Sequence, residues 1–161
     1  MKYKFLSILT LFSLVFNSCG SEPYLKENSA FIVFKTKTYN YADMGFVYQN
    51  NSEVKLEFYS SGQSIVSLIV MEDSVCMSSL ACVSKDDFNK DVLVKAYPKD
   101  ILDNIFRRKP IFNSENIKKV SNGFIQNIKS SNYSIDYSVL NTQTVFIDKI
   151  NGIVIKIKDN I

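Results

Sequence analysis

The sequence predicts an α+β fold that is mostly β: a curved antiparallel sheet, shaped as an unclosed β-barrel, with a small helical lid between two groups of strands. Three observations predict it. Alternating apolar and polar residues, as in Val54-Lys-Leu-Glu-Phe58 and Tyr133-Ser-Ile-Asp-Tyr137, recur on both sides of the chain's middle, with the period of half-buried strands. Connections rich in Asn, Ser and Gly separate these runs, as tight turns require. Only residues 84–109 switch to helical spacing, and helices set between two strand groups can pack on one face of a single sheet.

Ala30–Thr38, rich in aromatic and β-branched residues, reads as the first strand,. Tyr39-Asn40-Tyr41 reads as a turn region, and Met44–Tyr48 as the second strand, ended by Gln49-Asn50-Asn51-Ser52. Val54, Leu56 and Phe58 then alternate with Glu53, Lys55 and Glu57, so one face of this strand is wet,. After a turn at Ser60–Gln63, Ser64–Met71 is apolar on both faces, as in a strand covered on both sides,. These four strands predict an antiparallel meander. Glu72-Asp73 leads into Ser74–Val83, a hairpin that places Cys76 opposite Cys82.

Ser84–Lys90 reads as a capped helical turn, with Ser84 as the cap and Asp87 in the first turn,. A second helix is expected from Pro98, a favoured first helical position,. Ile101, Leu102, Ile105 and Phe106 form its apolar stripe,. Arg107, Arg108 and Lys109 suit its negative end, and Pro110 stops it,. Strands return at Ile117–Ser130 (broken at Asn122-Gly123), Tyr133–Val139, Thr142–Asp148 and Ile153–Lys158. Asn151-Gly152 favours a tight hairpin before the last of these,.

The N-terminus carries an address. Lys2 and Lys4 precede an apolar stretch, Phe5–Phe16, followed by Asn17-Ser18-Cys19. The stretch is shorter than the roughly 20 residues that span a bilayer and fits the apolar region of an export signal. A small residue before cysteine is the cut site of bacterial lipoproteins, where the cysteine is acylated and becomes the new N-terminus. Residues 1–18 are therefore read as a lipoprotein signal, Cys19 as the lipidation site carrying diacyl and palmitoyl chains, 19–28 as a lipidated tether with Pro23, and 29–161 as one domain,. The alternative is an ordinary secretory signal in which Cys19 is incidental. Gly20 lacks the acid that retains some lipoproteins in the inner membrane, so the expected location is the outer membrane, facing the periplasm.

Composition narrows the function. The net charge of +3 falls to +1 once Lys2 and Lys4 leave with the signal, which gives no support to a nucleic-acid partner,. The chain has no His, which removes the usual general base near neutral pH, the Ser-His and Cys-His nucleophile pairs and the commonest zinc ligand. With 5 Gly there is no glycine-rich phosphate loop. No cofactor, metal or catalytic residue is expected, and the reading is non-enzymatic; the adjacent acids Asp86 and Asp87 fit helix capping better than acid-base work,. With Cys19 acylated, Cys76 and Cys82 form an even pair in an oxidising compartment, and the expectation is a disulfide bond of about 2 to 3 kcal/mol in a loop-closure estimate. Two buried thiols are the alternative. A space between sheet and lid would suit an apolar ligand, whereas physics alone favours a filled core.

That element order, together with four stretches, resembles the LolB side of the LolA/LolB group of lipoprotein carriers. The stretches are the signal ending at Cys19; Gly45-Phe-Val-Tyr-Gln-Asn with Val54-Lys-Leu-Glu-Phe-Tyr, the turn at Ser60–Gln63 and the strand Ser64–Val70; Tyr97-Pro-Lys-Asp-Ile-Leu-Asp-Asn-Ile-Phe; and Gly123-Phe-Ile-Gln-Asn, Tyr133-Ser-Ile-Asp-Tyr and Gly152–Lys158. The resemblance implies an outer-membrane lipoprotein receptor and chaperone of lipoprotein transport. Its partners would be an acylated lipoprotein or lipid and a LolA-like periplasmic carrier. It implies an acyl-chain cavity lined by Leu56, Phe58, Ile101, Ile105 and Phe106, and a membrane-facing loop of Tyr59, Ser60 and Ser61. One departure stands out: the family's apolar Leu in that loop matches Ser61 here, and a hydroxyl does not press into lipid as Leu does. An assembly or accessory lipoprotein using the same fold for protein contacts is the second expectation, and a cavity filled by the protein's own side chains would point to it.

Overall fold

A computed structural model describes residues 22–78 and 81–160. The signal, Cys19 and the start of the tether lie outside the described residues. The chain is mostly strand, in one antiparallel sheet of eleven strands that does not close, with its helices between the two strand groups. The first group is β1 (Lys26–Lys35), β2 (Asn40–Gln49), β3 (Val54–Ser60), β4 (Gln63–Val70), β5 (Ser74–Met77) and β6 (Ala81–Ser84). Helices α1 (Lys85–Asp91) and α2 (Ile101–Phe106) and a 3-10 turn at Phe112–Ser114 follow. The second group is β7 (Ile117–Val120), β8 (Gly123–Lys129), β9 (Ser134–Leu140), β10 (Gln143–Asp148) and β11 (Ile153–Asp159).

Strands that follow one another in sequence are neighbours in space, so each group is a meander. The two groups join where β1 pairs with β11, giving the order β6-β5-β4-β3-β2-β1-β11-β10-β9-β8-β7. The register puts Ile32 opposite Ile157 and Phe34 opposite Ile155. Because side chains alternate along a strand, this sends Ala30, Ile32, Phe34, Ile153, Ile155 and Ile157 to the same concave face, and all six are buried. Leu56 and Phe58 on β3, Leu68 and Val70 on β4, Ile135 and Tyr137 on β9 and Phe146 on β10 complete that wall. Helix α2 fills the hollow with Ile101, Leu102, Ile105 and Phe106, all buried, and α1 adds Phe88.

Gly45 shows why one strand position must stay small. A Cβ built there would collide with the Glu57 carbonyl of the neighbouring strand. Gly45 pairs with Phe58 on β3, just before β3 shifts register against β4 at Tyr59.

Several expected boundaries move; β1 ends at Lys35 and β2 begins at Asn40, inside the stretch read as a turn, because Asn40 pairs with Lys35 and Tyr41 with Phe34. Strand β1 begins at Lys26, three residues inside the stretch read as tether, because Lys26, Glu27 and Asn28 pair with Gln49, Tyr48 and Val47. Polarity made this segment look like a spacer, but a strand with one wet face needs no apolar run. Helix α2 begins at Ile101 instead of Pro98. The intervening residues form a turn, with the Ile101 amide donating to the Pro98 carbonyl at 3.1 Å. Buried Asn89 fixes that turn by donating its side-chain amide to the carbonyls of Tyr97 (3.3 Å) and Pro98 (3.1 Å). Local propensity favoured Pro98 as a start, and this contact from α1 overrides it. The cap at Ser84 stands as expected, its hydroxyl accepting from the Asp87 amide at 3.1 Å.

Candidate functional site

The concave face and the segment that covers it are the candidate site. The lid runs from Ser84 to Asn116, and its helices are one to two turns long. Isolated helices of that length are unstable in water, so the sheet must hold them. The polar ties are specific. Gln49 donates its side-chain amide to the Phe106 carbonyl at 3.2 Å, and Arg107 donates to the Asn50 carbonyl at 2.8 Å. Arg107 also pairs with Asp103 at 2.8 Å, one turn back, and Arg108 pairs with Asp159 on β11. The basic run expected only to complement a helix end therefore also fastens α2 to the rim of the sheet.

Two buried polar side chains hold the rest of the lid. Gln126 on β8, fully buried, accepts from the Ile111 amide at 2.9 Å and donates to the carbonyls of Ile111 (3.0 Å) and Glu115 (2.7 Å). Asp148, at the end of β10 and fully buried, accepts from the Tyr97 hydroxyl at 2.5 Å, from the amides of Ser134 and Ile150 at 3.0 Å each, and from the Asn151 side chain at 2.6 Å. Burial alone would raise the Asp148 carboxyl, but these hydrogen bonds outweigh it and hold the group below its ordinary value,. Burial, and then the contact with Asp148, pushes the Tyr97 hydroxyl far up. Both tyrosine and carboxylate are thus locked in their neutral-pH states, as befits a clasp.

The connection after α2 is strained. Arg108, Phe112, Asn113, Ser114 and Asn116 all have positive φ, between 47° and 67°. Non-glycine residues avoid this region, at a cost of roughly 1–2 kcal/mol each, and a bulky Phe is rarely found there.

All five residues expected to line an acyl cavity meet in one apolar cluster. Leu56 and Ile105 are 0% exposed, and Phe58, Ile101 and Phe106 are 1% exposed. A void able to admit water would give them accessible surface, so none adjoins them: the hollow is filled by α2. Two surface clefts, of about 530 and 510 Å³, lie elsewhere. One is lined by Val94, Lys95, Ala96, Asn132 and Asn151, the other by polar residues including Asn51, Glu72, Asp103 and Arg107.

The expected membrane-facing loop is divided. Ser60 and Ser61 are exposed at the tip. Tyr59 folds back onto the outer face of the sheet, edge-on to Phe46 at 5.4 Å, with its hydroxyl donating to Glu57 at 3.2 Å. Cys76 and Cys82 stand opposite each other across β5 and β6, Cα to Cα 3.9 Å, joined as a disulfide.

A second constellation was not anticipated from the sequence. On the outer face Lys55 sits 4.3 Å from the Tyr48 ring and 5.1 Å from the Tyr24 ring, and pairs with Glu57 at 2.9 Å. Burial would raise Glu57, but the hydrogen bond and charge of Lys55 and the hydrogen bonds of Tyr59 and Tyr48 bring it below its ordinary value. Tyr24 also bonds Glu53 through its hydroxyl. The available signal was that β2 is apolar at both parities, with Met44, Phe46 and Tyr48 alternating with Gly45 and Val47. Among the described residues no group of three or more His, Cys, Asp or Glu could hold a metal ion, and no helix is long and apolar enough to cross a membrane.

No protein-family model matches the chain, and no curated protein matches it.

Proposed function

We propose that this chain is a non-enzymatic envelope lipoprotein, anchored through Cys19 in the outer membrane, that works through protein contacts made by its folded surface. The observation that carries this reading is the filled hollow: the residues that would line a ligand cavity are occupied with one another. Filling by α2 buries side chains worth about 1.5–3 kcal/mol each. An acyl chain arriving from a bilayer gains little by exchanging one apolar environment for another, so it has no means to displace them.

A second reading, an acyl-chain or lipoprotein carrier served by a LolA-like donor, is supported by the strained strap. Relaxing the positive-φ residues at Arg108, Phe112, Asn113, Ser114 and Asn116 would offset part of the cost of lifting α2,. The acyl chain would then lie between α2 and the wall formed by Leu56 and Phe58. Native mass spectrometry of the mature protein incubated with an acylated lipoprotein separates the two readings. A protein that keeps its unliganded mass supports the accessory role. Stoichiometric uptake of acylated cargo supports the carrier and sinks the first reading.

A further inference from the structure

We infer that the outer face of β1, β2 and β11 rests on the phospholipid surface in which Cys19 is anchored, so that the sheet lies flat on the membrane. The inference depends on Cys19 being lipidated and adds an orientation to the proposed function.

Where the chain leaves the fold sets the geometry. The last described residues before the anchor are tied to the outer face at one end of the sheet. The Glu22 carbonyl accepts from the Asn50 side chain at 3.0 Å, the Leu25 amide donates to the Gln49 carbonyl at 2.8 Å, and the Tyr24 ring lies 5.2 Å from that of Tyr48. Only three residue steps separate Cys19 from Glu22, a reach of at most about 11 Å. The acyl chains therefore enter the bilayer beside the β2–β3 turn. The Ser60-Ser61 tip stands at the other end of β3, about 20 Å away at the rise of a seven-residue strand,. A short tether at one end of the sheet does not bring the opposite tip to the same membrane unless the sheet lies down.

The surface between them suits lipid. Phe31 (44% exposed) and Met44 (41% exposed) are cross-strand partners on the outer face, followed along β2 by Phe46 and Tyr48. Val33 pairs with Ala42 beside them. Lys158, Lys156 and Lys35 border this patch, paired across the strands with Phe31, Val33 and Val154. Among the described residues none of these three lysines has an ion-pair partner; of the acids on the face, Glu57 is neutralised by Lys55, and Glu27, opposite Tyr48 near the tether, leaves the three lysines in excess. Exposed aromatic and apolar side chains edged by unpaired lysines match an interface with anionic headgroups. The end of the sheet beside the tether carries both signs, with exposed Glu72 and Asp73 close to Lys85, Arg107 and Lys109 and with Lys26 at the start of β1, so the apolar patch and not charge singles out the outer face.

The test uses the mature, lipidated protein in vesicles of phosphatidylethanolamine and phosphatidylglycerol. Nitroxide labels are placed through Met44→Cys, Ser61→Cys and Lys118→Cys in separate preparations, and collision with a water-soluble nickel chelate is read by electron paramagnetic resonance. The label at Met44 should lose about fivefold or more of its accessibility on moving from detergent to vesicles, as expected for a group entering the headgroup region. The label at Lys118, on the far edge strand, should stay accessible, and the label at Ser61, at the margin of the face, should lose less accessibility than the one at Met44. The protection at Met44 should fall when Lys35, Lys156 and Lys158 are all replaced by Gln. A Met44 label that remains accessible in protein floating with the vesicles overturns the orientation and leaves the anchor intact. Protection at Ser61 in place of Met44 overturns it too, in favour of a tip-down posture. Protection of Met44 without vesicles marks a protein interface and overturns it as well. Protein that does not float with vesicles at all removes the anchor, and with it both this inference and the proposed location.

Discussion

Asp148 and Thr144 sit four residues apart on β10, both fully buried, and their positions have opposite consequences. Asp148 spends its two oxygens on Tyr97, Ser134, Ile150 and Asn151. The Thr144 hydroxyl has no partner among the described residues. We expect Thr144→Val to stabilise the protein by about 1 kcal/mol, because an isosteric methyl replaces an unsatisfied polar group. Asp148→Asn should cost about 2 kcal/mol at neutral pH by weakening charge-assisted hydrogen bonds. Urea unfolding of both variants measures the effects. The pH dependence follows from the depressed Asp148 carboxyl. Its contribution is fully present above the unfolded value of about 3.9 and is lost as pH falls through the lower folded value. Wild-type stability should therefore drop below about pH 4, and the drop should be shallower in Asp148→Asn, by urea midpoints measured at each pH. None of this was legible from the sequence. Asp148 looks like an ordinary strand end, and its partner Tyr97 lies 51 residues away.

Helices α1 and α2 and the terminal hairpin are read from sequence to different depths, because they depend on contacts of different range. The Ser84 cap is local, so its residues alone announce it. The start of α2 depends on Asn89 reaching across to Pro98, and the beginning of β1 on pairing with β2; neither contact shows in the residues at the boundary itself. The sheet's two free edges are protected by different means. Strand β7 is four residues long and carries exposed Lys118 and Lys119, which discourage pairing with another chain,. Strand β6, also four residues, is clasped to β5 by Cys76–Cys82. Closing so short a loop is worth about 2 kcal/mol in the chain-entropy estimate. Cys82→Ser should thus lower stability by that amount and, by hydrogen exchange, loosen β5 and β6 while leaving β8–β10 as protected as before. Equal loss of protection across the sheet would show that the bond acts globally.

At the scale of the molecule, sequence periodicity gives the number and order of the strands but not the seam between the two groups. The β1–β11 pairing joins residues more than 100 positions apart, as Ala30 with Asp159, and no local pattern encodes that choice. The mostly-β open sheet with its lid was legible because each group is a meander of neighbours. The filled hollow was only partly so, since apolar stripes on strand and helix say that both are buried without saying whether a gap remains. Deleting residues 153–161 should abolish cooperative unfolding, because it removes Ile153, Ile155 and Ile157 from the core and leaves the facing edges of β1 and β10 without a partner; near-ultraviolet circular dichroism and a urea titration check this. The seam also bears on the order of events during synthesis. A chain that emerges N-terminus first presents β1 long before β11. The middle of the sheet then waits, half-assembled, for β11 to appear. Tethering such a chain to a membrane by its first residues would hold the waiting strand close to the place where its partner arrives.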